Sequence, residues 1–195
     1  MTTAFTFPGQ GSQVVGMGKA LADTFFEARA VFEAVDDALG QKLSTIMWEG
    51  PIETLTLTEN AQPALMAVSI AAILVLEARG VRLRDRVAYV AGHSLGEYSA
   101  LAAASSLSVA DAARLLRARG RAMQDAVPVG TGAMAALIGM ELDSAREVAA
   151  EAAAGATGGD VCEIANDNGG GQVVVSGTKA AVERAVEIAK AKGAK

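Results

Sequence analysis

The sequence predicts an α/β protein in two parts, on three observations. The pattern G-x-S-x-G, as Gly92-His93-Ser94-Leu95-Gly96, falls between an apolar, β-prone stretch and a helix rich in Ala and Leu. Beyond Val127 the elements read β-α-β-β-α, a ferredoxin-like split unit lacking its last strand. A chain of 195 residues that is 51% hydrophobic can bury a sizeable core. The larger part is placed at residues 1–126 and the smaller at 127–195.

Taken in order, Thr3 to Phe7 reads as a first strand that feeds the loop Pro8-Gly9-Gln10-Gly11-Ser12-Gln13. Phe25, Ala28, Phe32, Val35 and Leu39 alternate steps of three and four, the mark of an amphipathic helix, closed by Gly40. Trp48 precedes the Gly50-Pro51 turn and reads as a packing anchor. A helix apolar on nearly every face starts near Asn60, with Pro63 in its first turn, and runs to Gly80. Arg86 to Ala91 reads as a short buried strand, and Leu95 to Ala104 as the helix after the turn. Ser108 caps the next helix, with Asp111 three residues on. In the smaller part, strands are expected at Ala133–Met140, Val161–Ala165 and Gln172–Ser176. Helices are expected at Asp143–Ala154 and after a Thr178 cap.

Two features point to chemistry. Gly92 and Gly96 carry no Cβ, so helix and strand can approach closely and the turn can take an unusual φ. Ser94 then sits at a helix N-terminus, where unpaired N–H groups favour the oxyanion of an acyl transfer. A glycine-rich turn with an idle serine would show the same five letters. On the Ser108 helix, Val109, Ala112, Leu116 and Met123 form one stripe, and Arg119 lies within about 60° of its centre at 3.6 residues per turn. Arg114, Arg117 and Arg121 fall on the side expected to be solvated. An arginine on an apolar face either snorkels or meets an anion, and the latter would make Arg119 a carboxylate clamp.

The net charge of −5, without a basic run, argues against nucleic acid as a partner. The N-terminal residues show no positive n-region, and the apolar run from Pro63 to Leu76 reads as too short to cross a bilayer. A single cysteine, Cys162, fits a reducing compartment, and a cytoplasmic location is expected. The one histidine and one cysteine supply no metal-ligand pattern, so neither metal nor cofactor is expected.

With these residues in view, the chain resembles the malonyl-CoA:acyl carrier protein transacylases of bacterial fatty-acid synthesis. The resemblance rests on Pro8–Gln13, Gln62–Leu65, Gly92–Ala100, Arg119–Gln124, Gly130–Ala136 and Gly171–Val174, in that order along the chain. It implies a partial α/β-hydrolase-like large domain with a parallel sheet, followed by the ferredoxin-like small domain. Ser94 would be the nucleophile that holds malonyl as an ester, with the backbone N–H groups of Gln10 and Leu95 as oxyanion hole. Arg119 would grip the free carboxylate through paired hydrogen bonds, with His93 and Met123 also among the substrate-binding residues. Malonyl-CoA would be the donor, and the phosphopantetheine thiol of acyl carrier protein the acceptor, in a ping-pong exchange. Asn166 and Asn168 fall in a loop where the family also has asparagines, and a turn role suits them equally.

One departure matters. The family's general base is a histidine further along than Lys195, and His93 is expected to point away from Ser94 because neighbouring side chains alternate at the end of a strand. The sequence is therefore read as an N-terminal portion of such an enzyme, weak or inactive alone, with exposed surface that would favour self-association. Two other readings remain open: a serine esterase or lipase of α/β-hydrolase type, and a non-catalytic fragment that binds carrier protein or coenzyme A. The inward-facing Arg119 counts against an esterase for neutral acyl chains.

Overall fold

A computed structural model describes residues 2–128, 130–155 and 159–195, and divides the chain into two compact units, Met1–Asp125 and Ala126–Lys195. The architecture is α/β.

In the first unit, β1 (Ala4–Phe7) and β2 (Tyr89–Gly92) form a parallel pair in the register Ala4↔Tyr89 to Phe7↔Gly92. Six helices lie between them in sequence: α1 (Lys19–Thr24), α2 (Phe26–Leu39), α3 (Leu43–Glu49), α4 (Ile52–Thr56), α5 (Thr58–Ala78) and α6 (Leu83–Arg86). After β2 come α7 (Leu95–Ala103) and α8 (Val109–Ala126). The core is built around α5, whose residues from Asn60 to Ala67 are all buried. Phe32, Leu43, Met47, Leu55, Leu95 and Leu116 pack about it from α2, α3, α4, α7 and α8. Burying each such side chain contributes about 1.5–3 kcal/mol. Trp48 is a packing residue, its ring edge-on to Phe32 at 5.6 Å. Ser108 caps α8: its Oγ accepts the Asp111 N–H at 3.0 Å and donates to the Asp111 carboxylate at 2.7 Å.

Several expectations are corrected here. The helix begins at Thr58, not near Asn60, so Pro63 lies inside it rather than in its first turn. At 21 residues, α5 is long and apolar enough to cross a membrane, contrary to the reading of its run as too short, although 61% of that window is buried within the protein. The second strand is shorter than expected and is not buried: Arg86 belongs to α6, and Tyr89 on β2 is 67% exposed. Apolar letters alone cannot distinguish a strand covered on both faces from one left open on one of them.

The second unit is a three-stranded antiparallel sheet in the order β3-β5-β4, made of β3 (Gly132–Ile138), β4 (Cys162–Asp167) and β5 (Gln172–Thr178). Two helices, α9 (Leu142–Ala153) and α10 (Lys179–Ala191), supply its core. Pairings Leu137↔Val173 and Ala135↔Val175 place Leu137, Val173 and Val175 against Val148, Ala145 and Ala181 of those helices. This is the ferredoxin-like order, with the fourth strand absent among the described residues. On the open edge of β3, Lys195 exchanges both backbone hydrogen bonds with Ile138, at 2.8 and 2.9 Å. Asn166 and Asp167, expected in the loop, extend β4 past an irregularity in pairing between Ile164 and Asn166. Thr178 stands at the cap position of α10, but its hydroxyl donates to Asp160 rather than capping the helix.

Candidate active site

Ser94 sits where β2 ends and α7 begins, with φ 56° and ψ −115°. That combination is costly for a residue with a Cβ and matches the first central position of a type II′ turn, which glycine favours. The strain therefore falls on the serine itself and not on Gly92 or Gly96, as the motif suggested. Those two glycines serve close approach. A Cβ on Gly92 would lie 2.0 Å from the Gly96 carbonyl, and one on Gly96 would lie 2.4 Å from the Phe7 oxygen. The result is an exposed hydroxyl at the head of a helix.

The N–H groups of Gly96 and Glu97 donate to the carbonyls of His93 and Ser94. Leu95, first residue of α7, has no acceptor for its own N–H within the helix. Its side chain is 1% exposed and plugs the core, which fixes that backbone beside Ser94. The Phe7↔Gly92 pairing brings the Gln10 loop to the same end of the strand pair. There the His93 ring and carbonyl press on Gly9, leaving 3.1 Å between His93 Nδ1 and any Cβ placed on Gly9. Gln10 itself is exposed, and Gly11 next to it takes φ 116°.

Arg119 reaches this turn from α8. Its Nη2 donates to Ser94 Oγ at 3.0 Å, and its Nη1 donates to Gln62 Oε1 at 2.7 Å. Arg119 is half-buried. Gln62 is fully buried on α5, and its Nε2 meets Met123 Sδ at 3.4 Å. Ser94, Arg119, Gln62 and Met123 thus form one connected chain. Met123 is 44% exposed, lying at the rim of the apolar stripe rather than within it. A guanidinium remains protonated in water and cannot accept the serine proton, so Arg119 can orient and attract but not act as base. The cleft of about 620 Å³ lined by Arg82, Arg84, Tyr89 and Ser105 holds none of these residues.

A model of the acyl transferase domain matches residues 4–195. The chain belongs to this family. It is 47% identical over 192 residues to the malonyl CoA-acyl carrier protein transacylase of Bacillus subtilis, covering 98% of this chain and 58% of that protein. Identity to the Escherichia coli K12 protein of the same name is 46%, over 60% of its length. An acyl-carrier-protein-S-malonyltransferase structure from Bartonella henselae superposes with a TM-score of 0.90 at 60% identity, over all of this chain and 61% of that one. A type II PKS acyl-carrier protein in complex with its malonyl-transacylase gives 0.87 at 42% identity. The chain therefore spans about three-fifths of the length of these acyl transferases.

Within this acyl transferase unit, one arginine departs from the helical-wheel reading. Arg117, expected on the solvated side, is 7% exposed; its Nη1 donates to Gln41 Oε1 at 2.7 Å and lies 3.7 Å from the Glu59 carboxylate. Burial pushes its guanidinium below the ordinary value while Glu59 pulls it up. Arg121 is exposed but also paired, its Nε 2.9 Å from Glu59. The wheel gives each arginine's angle on α8, not what packs against that angle. Gln62 is the site residue that sequence reasoning missed as a participant. It stood inside the Gln62–Leu65 motif, and its signal was a polar residue near the start of a helix that is otherwise mostly apolar.

Proposed function

We propose that this chain carries the nucleophile half of a malonyl-CoA:acyl carrier protein transacylase. The observation that carries the proposal is the Arg119 guanidinium, 3.0 Å from the hydroxyl of a strained serine at a helix head. Ser94 attacks the malonyl thioester carbonyl, the thiolate of coenzyme A leaves, and malonyl remains as a serine ester. The N–H groups of Leu95 and Gln10 receive the oxyanion. Only one methylene separates the two carbonyl carbons of malonate, so an arginine beside the nucleophile meets the free carboxylate of the same acyl group. His93 and Met123 line the acyl site. The phosphopantetheine thiol of acyl carrier protein then takes the acyl group, as the names of the relatives and the carrier-protein complex support.

The same proposal assigns the first unit to the catalytic domain and the second to the small domain of such an enzyme, in the cytoplasm. The general base comes from the stretch of the relatives that this chain does not span, so acylation by the chain alone is slow or absent. Self-association is part of the reading, supported by the open edges of β2 and β3. An esterase for neutral acyl groups is disfavoured by a half-buried cation next to the nucleophile.

The test is intact mass after exposure to malonyl-CoA, with and without a separately supplied C-terminal segment of a relative. A malonyl adduct is expected with the added segment, absent in Ser94→Ala, and reduced in Arg119→Ala far more for malonyl than for acetyl. Equal losses for both acyl groups would defeat the carboxylate grip.

A further inference from the structure

Three arginines within little more than one turn of α8, Arg117, Arg119 and Arg121, reach side chains of α5, and their partners differ in charge. Arg117 and Arg121 both lie against the carboxylate of Glu59. Arg119, between them in sequence, is held by the neutral amide of Gln62, one turn further along α5. Among the described residues no carboxylate pairs with Arg119.

We infer that Gln62 is a specificity-determining positioning residue: it fixes the Arg119 guanidinium while leaving its positive charge unspent for a carboxylate on the acyl group. This inference rests on the proposed function above. The geometry makes the role specific. Gln62 is fully buried, so its amide has no water to turn to, and both of its polar ends are engaged, Oε1 by Arg119 at 2.7 Å and Nε2 by Met123 Sδ at 3.4 Å. The Met123 contact orients the amide, because sulfur accepts a hydrogen bond but cannot donate one. The oxygen is thereby turned toward Arg119. A glutamate there would offer the same reach, but its charge would pair with Arg119 and compete with any incoming anion. The Glu59 pairs show what that outcome looks like: those two arginines are bound in place and have no role at the serine.

The experiment compares equilibrium binding of malonyl-CoA and acetyl-CoA by calorimetry in the wild-type chain, Gln62→Glu and Gln62→Met. Wild type is expected to prefer malonyl-CoA. Gln62→Glu is expected to lower that preference about tenfold, the scale of one lost charge-assisted interaction, with acetyl-CoA binding unchanged. Gln62→Met keeps the volume and removes the acceptor, so malonyl-CoA binding should weaken by a few-fold as Arg119 loses its hold. If Gln62→Glu does not fold by circular dichroism, Gln62→Met decides alone. Wild-type preference retained in the folded variants would overturn the role of Gln62 and leave the proposed function standing. Equal binding of both ligands by the wild type would overturn the carboxylate grip, and this inference with it.

Discussion

The two units treat polar groups in opposite ways. Among the described residues, every buried polar or charged side chain lies in the first: Asp36, Ser44, Asn60, Gln62, Ser99 and Arg117. The second closes on Ala, Val, Leu and Met alone, with one buried thiol, Cys162, whose pKa burial pushes up. Burying an amide or a guanidinium costs free energy unless each donor and acceptor finds a partner. In the first unit some do not: Ser99 Oγ, Asn60 Oδ1 and two nitrogens of Arg117 have no hydrogen-bond partner. A fold tolerates that where orientation matters more than stability, and here the polar interior of α5 faces the helix that carries Arg119. The second unit keeps its ion pairs outside its core, exposed in Lys190 with Glu187 and partly buried in Arg184 with Asp160, and the core itself is apolar.

The largest effect that would test this contrast comes from closing the gap between α5 and α8. A Cβ on Gly120 would lie 2.5 Å from the Glu59 Cα and 2.7 Å from the Thr58 carbonyl oxygen, both backbone atoms that cannot swing away. Gly120→Ala should destabilise the chain by about 1–3 kcal/mol, the usual range for overpacking, seen as a lower urea midpoint. It should also spoil Arg119's reach to Ser94. A neutral outcome would mean that α8 is not held to α5 as tightly as the arginine pairs require.

Much of this was legible in the residues. The strand-turn-helix around Ser94, the Ser108 cap, the buried α5 and the ferredoxin-like order of the second unit all follow from local pattern, and local pattern is what those elements depend on. The stripe that singled out Arg119 worked because one face of α8 is apolar. It failed for Arg117 because the neighbouring face is lined by Gln41 and Glu59, side chains distant in sequence. The start of α5, the bare edge of β2 and the run of β4 through Asn166 are likewise set by tertiary neighbours, which periodicity does not report.

A smaller effect of opposite sign is expected at the serine. At φ 56° and ψ −115°, replacing Ser94 by glycine removes the Cβ that makes the conformation costly. Ser94→Gly should stabilise the fold by about 1 kcal/mol while abolishing any acyl adduct, which would mark the strain as belonging to function. A lower urea midpoint for Ser94→Gly than for wild type would count against that account.

The smallest effect belongs to the second unit and depends on pH. Asp160, just before β4, accepts hydrogen bonds from Arg184 on α10 and from the Thr178 hydroxyl, and these hold its carboxyl below the ordinary 3.8. Arg184 also donates to the Ala152 carbonyl of α9 at 2.8 Å, so this one cation joins both helices to the strand entry. A depressed carboxyl binds its proton more weakly folded than unfolded. Its stabilising contribution is therefore present in full above the ordinary value and is lost as pH falls through the folded one. Melting followed by amide exchange in β4 and α10 should show wild type losing stability below pH of about 3.8, with Asp160→Asn flatter through that window. The amplitude should be modest, because solvent reaches the pair. If Asp160→Asn instead lowered stability as much as Gly120→Ala does, the second unit would also depend on an oriented polar group, and the contrast between the units would fail.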